Sequence, residues 1–277
     1  MERARHLLVV LPTVILFTGC GSTEPNGMHR VSVSAGVASA SVQPAAGLSA
    51  DLIIGGEGGS VSISSAQIVL SRIKLANNEP CADDEDDGDD MEDANGTAAV
   101  VSHGEPGNDE NDEEHGENKG EDDEGCPPLK VGPVLVDLPL DGTTTVVLDA
   151  FVPAGTYTRL QTKLHAVKPD DEGVADFLAA HPEFEGISVK VVGVFTDAAD
   201  ADHEFTFTSR LNVVSTIKFD EPVTVGEGTT NLTIDVDLAS WFTNASGGVI
   251  DPTNEANQHA IEKNIRRSLR AKCEVDD

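Results

Sequence analysis

Bases and aromatic residues are scarce in this chain of 277 residues: lysine and arginine number 18 against 49 aspartates and glutamates, and tryptophan and tyrosine occur once each. A surface with a formal charge of −31 repels phosphate backbones, which argues against nucleic acid as a partner. Signatures of catalysis are missing too. There is no HExxH, no GxSxG, no GxxxxGK[ST] and no glycine fingerprint between a strand and a helix. Two S-x-x-K strings do occur, Ser71 to Lys74 and Ser215 to Lys218. Both fall in segments that read as strands, where residues three apart point to opposite faces, so neither pair can act as a serine-lysine couple. Three N-x-[ST] strings begin at Asn95, Asn231 and Asn244.

The N-terminus is the exception to this acidic, polar composition. Arg3 and Arg5 precede the apolar run LLVVLPTVILF, and small residues lead to Cys20. This is the three-part build of a secretory signal, too short and too broken by Pro12 to span a bilayer well. Phe17-Thr18-Gly19-Cys20 resembles the lipobox of bacterial lipoproteins, whose cysteine is acylated and becomes the new N-terminus. Phe17 stands where leucine is usual; the alternative is an ordinary signal peptide in which Cys20 is incidental. An acylated Cys20 would anchor the chain stably, since each buried methylene adds about 0.8 kcal/mol. Gly21 and Ser22 follow, with no aspartate directly after the cysteine, which resembles outer-membrane sorting in a Gram-negative cell.

Cysteine is rare, and export gives its four copies a context. With Cys20 assigned to lipid, Cys81, Cys126 and Cys273 remain. Disulfides persist outside the cytoplasm, so Cys81 and Cys126 form the natural pair. The bridge would close a loop of about 45 residues, a constraint worth roughly 4 kcal/mol in chain-entropy terms. A thiolate metal site is the competing reading, but neither cysteine belongs to a CxxC or a cysteine-histidine cluster. Cys273 is left odd.

Between those cysteines lies most of the charge. From Ala82 to Gly125 there are 20 aspartates and glutamates against the single Lys119, which is −19 of the chain's −31 and leaves −12 for all other residues. Met91, Val100 and Val101 are the large apolar residues of this stretch, too few to offset its ordering entropy. The expectation is a disordered, solvated insertion on a folded body. Residues 1–19 then read as the signal peptide, 20–29 as a tether, and 30–277 as one β-sandwich domain with the insertion at 82–125 and a C-terminal helix over about 255–271.

The body reads as mainly β. In NLTIDVDL, Leu232, Ile234, Val236 and Leu238 alternate with Thr233, Asp235 and Asp237, the period of a strand with one buried face. TYTRLQTKLHA sets Leu160, Thr162, Leu164 and Ala166 against Arg159, Gln161, Lys163 and His165. Further strands are expected in RVSVSAGVASASV, GSVSISSAQIVLSRIKLA, GPVLVDLPL, TTTVVLDAF, GISVKVVGVFT, EFTFTSRL and STIKF. In the second of these the apolar phase slips from odd (Val61, Ile63) to even (Ile68, Leu70), which implies a bulge or a break into two strands. About nine short strands with Gly, Pro and Asp turns argue for two antiparallel sheets packed as an immunoglobulin-like or transthyretin-like sandwich.

Two helices are expected. EGVADFLAAHPEF places Val174, Phe177 and Leu178 on one face, with Asp170 or Asp171 as cap and Pro182 as stop. TNEANQHAIEKNIRRSLRAK spaces Ile261, Ile265 and Leu269 by four, surrounded by Lys263, Arg266, Arg267, Arg270 and Lys272. That helix caps one end of the sandwich with a basic solvent face; contact with anionic lipid is the alternative. Trp241, beside Phe242, reads as core.

The stretch VDLPLDGTTTVVLDAFVPAGTYTRLQTKL resembles a segment of the bacterial lipoprotein family catalogued as domain of unknown function 4382, in which a PAGTY turn leads into a long alternating strand. Pro153, Ala154, Gly155, Thr156 and Tyr157 carry the match. Proline fixes φ on entering such a turn, and Gly155 is expected to supply a positive φ. HPEFEGISVKVVGVF and the ending SWFTNASGGVIDPTNEAN resemble secreted proteins with the same layout. The resemblance implies a prealbumin-like β-sandwich and an envelope location, and brings no catalytic residues.

Calcium is the one cofactor the insertion suggests. Asp83, Glu85, Asp87 and Gly88 match the first half of an EF-hand loop, and Asp89 extends the carboxylate run, but the closing glutamate would fall on Ala94 and the ninth position on Met91. A solvated acidic run is the competing reading; His103 and His115 lie in the same stretch, where the alternatives are a place in a metal site or simple solvation, and solvation is the expectation. The function expected is a non-enzymatic envelope or cell-surface lipoprotein, a binding or adhesion module that displays a disulfide-closed acidic loop to a protein or glycan partner. The alternatives are a passive charged spacer, or an enzyme of a kind without these motifs.

Overall fold

The alternating segments pair into two sheets. The computed structural model describes residues 27–38, 51–77, 128–171 and 173–274. Eleven strands occupy most of them: β1 (Met28–Val37), β2 (Leu52–Gly56), β3 (Gly59–Ala76), β4 (Pro128–Asp137), β5 (Thr144–Pro153), β6 (Gly155–Leu164), β7 (Val189–Asp197), β8 (Asp202–Ser209), β9 (Val213–Val225), β10 (Thr230–Val236) and β11 (Leu269–Glu274). One sheet has the order β11-β10-β1-β5; the other runs β8-β7-β3-β6-β9, with β2 and β4 also paired to β3. All pairs are antiparallel except β1 with β10, which run parallel. The architecture is the expected β-sandwich, with one parallel pair that alternation alone could not reveal.

The phase slip in β3 has a clear cause. The strand is a single element of 18 residues, not two. Its register shifts between Ile63 and Ser65 against β7, and between Leu70 and Arg72 against β4 and β6. Each bulge adds one residue and restores the apolar side chains to the inner face. Val61 and Ile63, then Ile68 and Leu70, then Ile73 and Leu75 all enter one core. Val31, Val33 and Ala35 of β1 and Leu232, Ile234 and Val236 of β10 meet them from the opposite sheet.

β6 repeats the device. A shift between Tyr157 and Arg159 lets Tyr157, an odd position, share the core with Leu160 and Leu164.

Among the described residues, three helices flank the two sheets. α1 (Ala175–Ala180) is followed by a 3-10 turn at Pro182–Phe184. Val174, Phe177 and Phe184 pack on Val69, which faces outward from β3, and form a second small core with Val167. Neither Asp170 nor Asp171 caps α1: Val174 holds the N-cap position without a side-chain bond.

α2 (Leu238–Trp241) is capped by Asp237, which accepts from the Ser240 amide. α3 (Gln258–Ser268) buries Ile261 and Ile265. Trp241 and Phe242 are fully buried, and Phe242 meets the rings of Phe205 and Phe207 at 5.9 and 6.2 Å.

The last helix is shorter than expected. A 3-10 turn at Glu255–Asn257 precedes it, and it stops at Ser268, where the expected helix continued to about 271. The Asp237 amide donates to the Ser268 carbonyl at 3.0 Å, and from Leu269 the chain is extended and pairs with β10. Arg270 and Lys272 therefore belong to a strand; Lys263, Arg266 and Arg267 remain on the helix. The open edge of β10 overrides a helical propensity that no Gly or Pro interrupts. Strand β1 also begins at Met28, inside the stretch expected to be tether.

Candidate functional site

The feature that dominates the charge map is anchored on β3 and β4. β3 ends at Ala76 and β4 begins at Pro128, and the two pair antiparallel from Gln67 opposite Asp137 down to Lys74 opposite Pro128. The chain between them is thus the connection of a β-hairpin. Leu75 and Leu129 are buried at its base, and the inner face there packs on Leu160 of β6. Cys20, Cys81, Cys126 and the carboxylates Asp83, Glu85, Asp87 and Asp89 lie outside the described residues, as do residues 1–19, most of the tether and the whole of 82–125. What the fold contributes to them is the footing: the two flanks of the acidic stretch leave the same end of one sheet.

The S-x-x-K strings sit in β3 and β9 as expected. Ser71 is the residue added at the β3 bulge, and its hydroxyl reaches the Lys163 carbonyl at 3.5 Å. Ser215 pairs with buried Thr162 on the inner face, whereas Lys218 pairs with Arg159 on the outer one.

The outward rows of β3, β6 and β9 beside the hairpin base are basic. Reading across the sheet, Arg72 lies opposite Lys163 and then Val214; Lys74 opposite Gln161 and Thr216; Ala76 opposite Arg159 and Lys218. The alternate residues Ile73, Leu75, Leu160 and Ile217 belong to the core, which sets the direction of these rows.

Two carboxylate-histidine pairs were not legible in the sequence, because each depends on a turn that places residues six apart together. His165 Nε2 lies 2.8 Å from Asp171 Oδ2, which also accepts from the Lys168 amide at 2.7 Å. Partial burial would raise the Asp171 carboxyl, but the Lys168 amide and His165 outweigh it and hold the group below the usual carboxylate range. The arrangement fastens the loop after β6. His203 Nε2 and Asp197 Oδ2 are 3.2 Å apart across the β7–β8 turn, where Asp197 is also held low, first by the amides of Ala201 and Ala199.

A shallow cavity of about 410 Å³ brings Asp51, Asp137 and Asp141 to one surface near Ser64 and Leu138. Each carboxylate has a donor of its own: Ser62 for Asp51, Gln67 for Asp137, and the amide and hydroxyl of Thr143 for Asp141. Among the described residues no group of three or more His, Cys, Asp or Glu is spaced to hold a metal ion.

The PAGTY corner takes a different form from the one expected. It carries the chain from β5 in one sheet to β6 in the other, with Ala154 alone between them. Gly155 does not have a positive φ. The turn is instead secured by Tyr157, whose hydroxyl donates to the Pro153 carbonyl at 2.9 Å, while its ring lies 3.7 Å from where a Gly155 Cβ would stand. Compared with protein-family models, with curated proteins and with solved structures, the chain has no match.

Proposed function

We propose that the protein is a non-enzymatic, lipid-anchored module of the bacterial envelope, of the domain-of-unknown-function 4382 type. Acylated Cys20 holds it to the membrane, at the outer membrane in a Gram-negative cell. The sandwich displays residues 82–125 as an acidic loop closed by a Cys81–Cys126 disulfide and directed at a protein or glycan partner. The observation that supports this reading is the hairpin base: Lys74 pairs with Pro128, so both flanks of a stretch with net charge −19 meet at one point on the sheet. Binding residues placed on loops above a fixed scaffold are the common arrangement in recognition modules.

The loop binds calcium weakly, as several ions shared among carboxylates including Asp83, Glu85, Asp87 and Asp89. Neutralising about twenty self-repelling carboxylates favours compaction even without ideal ligand geometry. Dissociation constants of about 10⁻⁴ to 10⁻³ M are expected, as for extracellular modules. Calorimetry at physiological salt, run beside a chain lacking residues 82–125, tests this. If calcium gives no more heat than sodium at equal ionic strength, the loop is a passive charged spacer.

A further inference from the structure

The basic rows beside the hairpin base pose an electrostatic problem. Acids outnumber bases 49 to 18 in this chain, yet the three rows across β3, β6 and β9 hold Arg72, Lys74, Arg159, Lys163 and Lys218 and no carboxylate. Arg72 is directly opposite Lys163, and Arg159 directly opposite Lys218. Like charges facing each other across a strand pair destabilise a sheet. On the other sheet Arg30 of β1 has a carboxylate within reach on the neighbouring strand, bonding Asp149 of β5 at 2.6 Å.

Burial sharpens the problem. Lys74 is 5% exposed and Gln161 8%, although both point away from the core, and α1 packs one step further along β3, on Val69. An ammonium taken out of water requires a counter-charge. Arg72, Lys74, Arg159 and Lys163 are each engaged by a partner.

We propose that this face is the docking surface for the chain's own acidic insertion, residues 82–125. Three facts select that occupant. The face is the basic complement to a stretch of 20 acids and one lysine. The insertion is tethered at the face itself, since Lys74 is both a member of the basic rows and the residue paired with Pro128. A chain of this length at about 3.3 Å per residue reaches every one of the five cations from that tether. Tethering also makes the contact intramolecular, at an effective concentration of about millimolar for short flexible links, well above that of a free polyanion. Part of the insertion thus offsets the five cations of the sheet on which it is mounted, and the excess of carboxylates stays available to a partner. The inference uses only the charge of the insertion and holds whether or not calcium binds.

Zero-length carbodiimide coupling on the full chain without added calcium reads this contact, because it joins lysines only to touching carboxylates. Coupling an equal mixture of light and heavy isotope-labelled chains separates links within one molecule from links between copies. The expected result is that Lys74, Lys163 and Lys218 couple within one chain to carboxylates of residues 82–125. The yield should fall on the order of tenfold between about 20 mM and 1 M salt as the screening length shrinks to about 3 Å. The double substitution Arg72→Gln and Arg159→Gln, which spares all three lysines, should lower the yield at Lys163 and Lys218 several-fold. Three outcomes would each overturn the proposal. These are links from these lysines only to carboxylates outside 82–125, links only between light and heavy chains, or a yield unaffected by salt in the native protein.

Discussion

Tyr157 and two glycines show how single residues fix the sandwich. The Tyr157 hydroxyl ties the corner between the sheets to the Pro153 carbonyl, and its ring lies in the core. Tyr157→Phe keeps the ring and loses the bond, so it should lower the unfolding free energy by about 1 kcal/mol, read from the urea midpoint at constant slope. Gly193 sits opposite Ile63 beside the first β3 bulge, where a Cβ would stand 2.2 Å from the Ser62 carbonyl and 3.0 Å from the Phe205 ring. Gly193→Ala forces the two strands apart and should cost about 1–3 kcal/mol. Gly155→Ala is the contrasting case, because its φ is not positive and a Cβ would be in ordinary contact at 3.7 Å. That variant should match the parent or gain up to about 1 kcal/mol from a less free unfolded chain. Equal losses at the two glycines in the same urea titration would contradict this account.

At the scale of elements, the decisive piece is the unit of α2, α3 and β11. α3 packs into the main core through Ile261 and Ile265, beside the edge strand β8, where Gln258 donates to the Thr208 carbonyl at 3.1 Å. Trp241 is fully buried in the same core, and Asn264 donates to its carbonyl at 3.2 Å. Ile265→Ala should remove about 2–5 kcal/mol, the range for large-to-small changes in a packed core. Trp241, the one tryptophan, reports the loss by its fluorescence in denaturant. A change below about 0.5 kcal/mol would mean that the helix is not part of the cooperative core. The helix itself is legible in the spacing of Ile261 and Ile265, whereas its end is not. Leu269 continues the same spacing by four but enters a strand, because pairing with β10 satisfies backbone groups that would otherwise line an open edge. β2 was likewise invisible, since Leu52–Gly56 ends in two glycines and gains its definition from pairing with β3.

At the scale of the molecule, two kinds of chain are joined at one point. A sandwich with small net charge per residue carries a hairpin connection with a balance of −19. The backbone places Cys273 on β11 opposite Leu232, in the sheet that does not contain β3 and β4. Non-reducing digestion and mass spectrometry should therefore yield a peptide joining Cys81 to Cys126. A peptide joining either one to Cys273 would reverse the loop assignment.

The alternation of NLTIDVDL and the phase slip of β3 marked out, without any structure, a two-faced β-sandwich with either a bulge or a break in β3; strand pairing decided for bulges within one strand. Burial of one face imposes a period of two on the residues themselves, and an added residue leaves its mark as a change of phase. Composition likewise marked out 82–125 as a separate kind of segment. The basic face of β3, β6 and β9 was decided only by tertiary structure. Arg72, Lys163, Arg159 and Lys218 come from three separate strands, and only the register between those strands sets like charges side by side at the foot of the acidic stretch.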